Sequence, residues 1–224
     1  GIAHELNQPL PVIGGFASRI QRNHEAVVAD VSKDLEIITR EVARMASIVG
    51  NIRQFGRQKD ISLQRTGALR PLELALQLVE AECKDGGIRL ERVLPDRPLE
   101  VLGDTGKLQQ VFLNLLTNAR DAVEPMPPEQ RWIRVLVWST DRHVLYRIED
   151  GGPGVPAEFQ DKLFDPFFTT KGPDRGMGLG LSIAFSLVSS HRGMLSYVES
   201  EGSGYFEVAI PKYESSREVG CEVE

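Results

Sequence analysis

The chain has 224 residues, of which 41% are hydrophobic and 26% charged, and its formal net charge is −6. These are ordinary values for a globular protein, and the acidic balance argues against nonspecific nucleic-acid binding, so a bound phosphate needs a locally positive site. Cys83 and Cys221 lie far apart without metal-ligand spacing, which predicts a reducing compartment and no disulfide framework. No apolar run is long enough to span a membrane, and no signal peptide is visible.

Leu6, Leu10, Ile13, Ala17 and Ile20 recur at spacings of four and three, and so do Leu35, Ile38, Val42, Met45, Val49 and Ile52. This heptad pattern predicts two helices that pack along a seam, with residues 24–30 turning one back on the other. A two-helix hairpin cannot enclose its own apolar stripe, so a second copy is expected to complete a four-helix bundle. Pro9 and Pro11 lie inside the first pattern and predict a bend just after His4. Residues 58–66 are polar and aperiodic, and the linker is placed there. Beyond it, helices are predicted at about 67–85, 104–123 and 178–191. Strands are predicted at Val135–Ser139, Val144–Ile148, Met194–Val198 and Phe206–Ile210, with Leu99–Leu102 as a short edge strand. Pro125, Pro127 and Pro128 mark a loop, and the charged tail after Lys212 is expected to be loose. The α/β layering follows from this pattern.

Five short motifs come in a fixed order. They are His4-Glu5-Leu6-Asn7-Gln8-Pro9-Leu10, Asn114-Leu-Leu-Thr-Asn118, Asp150-Gly151-Gly152-Pro153-Gly154, Phe164-Asp-Pro-Phe167-Phe168, and Gly176-Met-Gly178-Leu179-Gly180. Together they resemble the H, N, G1, F and G2 boxes of the sensor histidine kinases of two-component signalling, over nearly the whole chain. The resemblance implies a dimerisation and phosphotransfer domain at residues 1–57, a helical hairpin. An ATP-binding α/β sandwich of the gyrase and histidine-kinase superfamily would follow at 67–213. It implies ATP and Mg²⁺ as cofactors, and a homodimer and a response-regulator receiver domain as partners. No nucleic-acid partner is expected, nor direct membrane contact from this stretch, which would lie in the cytoplasm. The chain opens at Gly1-Ile2-Ala3 without an initiator methionine, so a fragment lacking its sensor region is expected.

Each motif has a chemical reading. Neutral imidazole is a competent nucleophile near pH 7, so His4 is the expected phosphoryl acceptor, with Glu5 holding its tautomer and taking its proton. Gln8 lies one turn on, on the same helix face. Many histidine kinases have Thr or Asn there to position a water for dephosphorylating the partner, and Gln is one methylene longer than Asn. His24, His143 and His191 lie in no motif and are read as surface or packing residues. Asn114 and Asn118 are spaced i, i+4, so both amides face one way; Asp121 and Ala122 extend the box. Amide oxygens and water suit Mg²⁺, and the resemblance makes Asn118 the direct ligand and Asn114 its support.

Asp150, at the end of a strand, can accept a hydrogen bond from the adenine amine, and Gly152 and Gly154 let the backbone approach the base. The family usually has Asn where Gly151 stands. Gly176, Gly178, Leu179 and Gly180 open a helix whose amides and dipole attract phosphate. Lys171, ahead of Arg175, is the expected cation for the β- and γ-phosphates. Gly202-Ser-Gly204-Tyr205 resembles the last glycine box, with Tyr205 in place of the usual Thr. The implied function is ATP-dependent autophosphorylation of His4 and transfer to an aspartate. The alternatives are an ATPase or a noncatalytic nucleotide-binding module of the same superfamily. An ATPase would usually need Glu where Asn114 stands.

Overall fold

Strands that hide one face alternate apolar and polar residues, and helices that cover that face repeat theirs every three or four. Both patterns are realised in the computed structural model, which describes residues 9–22, 31–39, 41, 42, 45, 61–171, 178–200 and 203–213. The chain divides into two compact units, Gly1–Lys59 and Asp60–Glu224.

In the first unit, helix α1 runs Pro9–Arg22 and residues 31–39 form helix α2. Pro9 and Pro11 both fall in the first described turn of α1. The bend expected after His4 falls on residues outside those described. The two helices are joined by an ion pair. Arg19 Nε donates to Asp34 Oδ2 at 2.8 Å, and a second guanidinium nitrogen reaches Oδ1. Asp34 is only 3% exposed, so its charge needs this fork of donors. Leu10, Leu35 and Val42 of the predicted seam are exposed within the single chain.

The second unit contains β1 Gln64–Gly67, α3 Leu69–Asp85, β2 Arg89–Val93, β3 Glu100–Gly103, α4 Thr105–Val123, β4 Trp132–Ser139, β5 His143–Asp150, the one-turn α5 Ala157–Gln160, α6 Gly180–Ser190, β6 Met194–Ser200 and β7 Ser203–Pro211. Five strands form a mixed sheet in the order β2-β4-β5-β7-β6. β2 runs parallel to β4, and the other neighbours are antiparallel. β1 and β3 make a separate antiparallel pair. Leu99–Leu102 thus belongs to that pair, shifted by one residue to Glu100–Gly103.

One face of the sheet builds the core. Ile133, Val135, Tyr146, Ile148, Val208 and Ile210 are buried there beneath Leu72, Leu76, Phe112, Leu115, Leu116 and Leu187 of the helices. The Phe112 and Tyr146 rings lie 4.7 Å apart between centroids. The Tyr146 hydroxyl donates to the Ala68 carbonyl at 3.0 Å, and burial pushes its pKa upward. Burial likewise raises the Cys83 thiol, which makes it an inert core residue.

Two polar devices fix the ends of the helices that carry the glycine and asparagine motifs. Asp104 caps α4, its carboxylate accepting from the Lys107 amide at 3.1 Å. His191, read from sequence as surface or packing, is 1% exposed and ties α6 to α4. Its Nε2 accepts from the Asp104 amide at 3.0 Å, and its Nδ1 lies 2.7 Å from the Leu187 carbonyl. That arrangement sets the neutral tautomer with the proton on Nδ1.

Candidate active site

Asp150 follows Val144, Tyr146 and Ile148 at the inward positions of β5. Its carboxylate therefore sits where the next core side chain would be. Burial raises its pKa from 3.8 to about 6, against the opposing pull of the Gly152 amide and the Lys171 charge. The Gly152 amide donates to Oδ1 at 2.9 Å. Among the described residues nothing donates to Oδ2.

The glycines beside it are required by close approach. A Cβ on Gly152 would stand 2.7 Å from Asp150 Oδ1 and 3.0 Å from the Ala122 Cβ. A Cβ on Gly151 would run into the Gln130 carbonyl. The one-turn segment Pro128–Gln130 fills the space that an Asn side chain would take. Gly154 has φ 71°, in the left-handed region. The strap is fixed by Tyr197, whose hydroxyl accepts from the Val155 amide at 3.0 Å. The Tyr197 ring lies over Gly204, where no side chain would fit.

α4 presents its polar edge to this strap. Asn114 Oδ1 accepts from Gln110 Nε2 at 2.8 Å, and its Nδ2 donates to the Gly180 carbonyl at 3.0 Å. Asn114 thus anchors the start of α6. One turn on, Asn118 Oδ1 lies 3.3 Å from the Lys171 ammonium, which also pairs with Asp121 Oδ2 at 2.9 Å. Asp121 Oδ1 accepts from Arg120 Nε and Nη2 at 3.2 and 2.8 Å, and Arg120 is itself paired with Glu82 of α3.

The phenylalanine segment holds Lys171 against α4. Phe164 stacks on Phe185 of α6 at 5.0 Å and meets Phe206 edge-on at 6.5 Å. Phe168 packs on Phe159 at 5.7 Å. Phe167 adopts a left-handed φ of 68°, and its amide donates to the Gly178 carbonyl at 3.0 Å. Gly178 itself has φ 64°, and a Cβ there would strike the Phe168 carbonyl. α6 then begins at Gly180 behind the buried Leu179, and among the described residues no side chain caps its first amides. Those amides are orphans that an anion can satisfy.

The structure thus brings Asn114 to Gly180, Lys171 to Asn118 and Asp121, and Asp150 to Gly152 and within electrostatic reach of Lys171, while Gly154 follows Asp150 in the strap and Gly178 and Leu179 lead into α6. His4, Glu5, Gln8 and Gly176 lie outside the described residues, as does Arg175. Sequence reasoning missed Gln110, Arg120, Glu82 and Tyr197, which hold the predicted residues in place. Arg120 adjoins Asp121 and so carried a faint signal, whereas Tyr197 reads only as one more strand residue.

Residues 1–60 match the family described as His Kinase A (phospho-acceptor) domain, and residues 103–214 match the histidine kinase-, DNA gyrase B- and HSP90-like ATPase family. The chain belongs to the sensor histidine kinases of two-component signalling. Among its relatives, the C4-dicarboxylate transport sensor protein DctB of Pseudomonas aeruginosa is 35% identical to this chain over 87% of its length. Sporulation kinase E of Bacillus subtilis is 29% identical over 97%. The chain spans 32% and 29% of the lengths of those two relatives. The structure of histidine kinase ThkA in complex with response regulator protein TrrA matches with a TM-score of 0.78 at 27% identity, covering 95% of this chain and 60% of that one. No helix among the described residues is long and apolar enough to cross a membrane.

Proposed function

We propose that this chain binds ATP with magnesium, phosphorylates His4, and passes the phosphoryl group to an aspartate of a response regulator. The observation that carries the nucleotide half is the buried Asp150 carboxylate beside a glycine strap. One oxygen is held by Gly152 and the other is left open to a donor. An adenine amine is such a donor, and the carboxylate selects it over the carbonyl of guanine. The uncapped first turn of α6 offers amides to phosphate oxygens.

The donor set fits magnesium. The Asn118 amide oxygen and the Asp121 carboxylate already draw a cation, the Lys171 ammonium, to their common edge. Among the described residues no three His, Cys, Asp or Glu side chains come together as a metal cage. An ion here would take its remaining ligands from phosphates and water, as Mg²⁺ commonly does. When bound, Mg²⁺ neutralises charge on the transferring phosphoryl group. Asn118 holds the ion, Asn114 fixes the start of α6 through Gly180, and Lys171 serves the phosphates. Asn114 has no carboxylate to activate water, and its amide is engaged at both ends, which disfavours a simple ATPase.

At the acceptor, Glu5 orients the His4 imidazole and takes its proton as the nitrogen attacks the γ-phosphorus and ADP leaves. Two copies pair through the apolar stripe that includes Leu10 of α1, Leu35 of α2 and Val42 beyond α2. ThkA is seen with a response regulator, which supports a receiver domain as the partner here. Calorimetric titration of the full chain with a nonhydrolysable ATP analogue, with and without Mg²⁺, tests the nucleotide site. Binding that requires Asp150 is expected, and binding indifferent to Asp150→Asn would overturn the assignment.

A further inference from the structure

The edge of α4 that would receive a metal already holds a positive charge. The Lys171 ammonium stands 2.9 Å from Asp121 Oδ2 and 3.3 Å from Asn118 Oδ1. Both members of the Lys171–Asp121 pair are largely covered, with side-chain exposures of 29% and 25%. Asp150 also feels this ammonium. The charged groups facing it are therefore Asp121 and Asp150, with Arg120 on the far oxygen of Asp121.

Asp121 does not depend on Lys171 for its position. Arg120 donates two hydrogen bonds to its Oδ1 and is anchored by Glu82 of the neighbouring helix. This leaves Oδ2 preset toward Asn118. Lys171 is set in turn by its own backbone, whose amide donates to Thr169 Oγ1 at 3.1 Å. We propose that Lys171 is a tethered counter-cation for the Asn118–Asp121 oxygen pair, displaced when a divalent ion arrives with nucleotide. The inference rests on the nucleotide reading above and adds an order of events to it.

The physical reason is mutual exclusion. A divalent ion on Asn118 Oδ1 and an ammonium on the same oxygen would be like charges within contact distance, and their repulsion is severe in a covered site. An intramolecular ammonium is always present at high effective concentration, so metal without nucleotide competes poorly. A nucleotide changes the balance, because its phosphates give the displaced ammonium a new partner. Metal and nucleotide then bind together more readily than metal alone. Asp121 is a positioning residue in this scheme, and Lys171 changes partner during binding.

The test uses the full chain and ADP, which lacks the γ-phosphate and so reduces the direct contribution of Lys171 to nucleotide contacts. ADP affinity is measured by calorimetry across a Mg²⁺ series for the wild type, Lys171→Met and Lys171→Arg. The expected result is that Lys171→Met reaches half of its Mg²⁺-dependent gain at about two- to fivefold lower Mg²⁺, the size of a partly exposed ion pair. Lys171→Arg keeps the charge and should retain the wild-type dependence. If the wild type binds ADP but Lys171→Met needs the same or more Mg²⁺, the counter-cation role is overturned while the nucleotide site stands. An equal shift in Lys171→Arg also overturns it. A wild type that binds no ADP overturns both readings.

Discussion

Asp150→Asn should make the protein more stable and a worse nucleotide binder at once. Burial raises the Asp150 carboxyl from 3.8 to about 6. Between those values the folded chain holds a proton that the unfolded chain has released. Wild-type stability from this group is therefore complete below about pH 4, falls as pH rises to about 6, and is flat above that. Keeping the carboxylate ionised at pH 7 costs the fold about 3 kcal/mol by this reasoning. Asn has the same shape, keeps an oxygen for the Gly152 amide, and carries no charge. The substitution should stabilise the nucleotide-free protein by about 1–3 kcal/mol at pH 7, or a rise in Tm of about 3–8 °C. At pH 4 the gain should vanish, because wild-type Asp150 is then neutral too. ATP affinity should drop about ten- to hundredfold, the size of a hydrogen bond to a charged group. The assay is thermal unfolding of both proteins from pH 4 to pH 7.5, paired with calorimetric titration. A variant that is destabilised at pH 7, or stabilised equally at both ends, would refute the reasoning about burial. Unchanged ATP affinity would reduce Asp150 to a turn residue.

Further outcomes follow from the packing and the predicted assembly. Phe112→Ala removes a fully buried ring packed at a tilt against Tyr146 and should cost about 3–5 kcal/mol in denaturant unfolding. Gly151→Asn restores the residue usual in the family but drives a side chain into the Gln130 carbonyl; it should lower Tm and weaken ATP binding, and a stable variant with normal affinity would contradict that clash. Residues 60–224 alone should be monomeric by light scattering, and the full chain dimeric at about tens of micromolar; a monomeric full chain would count against the four-helix bundle.

The elements legible in the sequence were those whose burial is one-sided. β4 and β5 bury every second residue from Ile133 to Val137 and from Val144 to Ile148, β7 keeps that period through Val208, and α4 repeats its apolar residues at helical spacing. β2 escaped because Arg-Leu-Glu-Arg-Val lies at the sheet edge, where only Leu90 faces the core. β1, Gln-Arg-Thr-Gly, escaped because none of its own residues is buried, and it lies at the end of the stretch read as linker. The residues that surround the site were legible as motifs, because glycines and paired asparagines are poorly suited to strand or helix interiors and their presence calls for a reason. Their supports were not legible. The Arg120–Glu82 pair joins positions 38 residues apart, and the Tyr197 hydroxyl meets Val155 across 42. Contacts over such separations exist only after the chain has folded, and neither residue type announces them.

The central claim is that His4 accepts the γ-phosphoryl group of ATP. Incubating the full chain with ATP radiolabelled on its γ-phosphate, then treating the denatured protein with acid or alkali, tests it most directly. Label that is lost in acid, survives alkali and is absent from His4→Gln, with ATP affinity unchanged in that variant, is the predicted result. Label that resists acid, or that persists on His4→Gln, would contradict it.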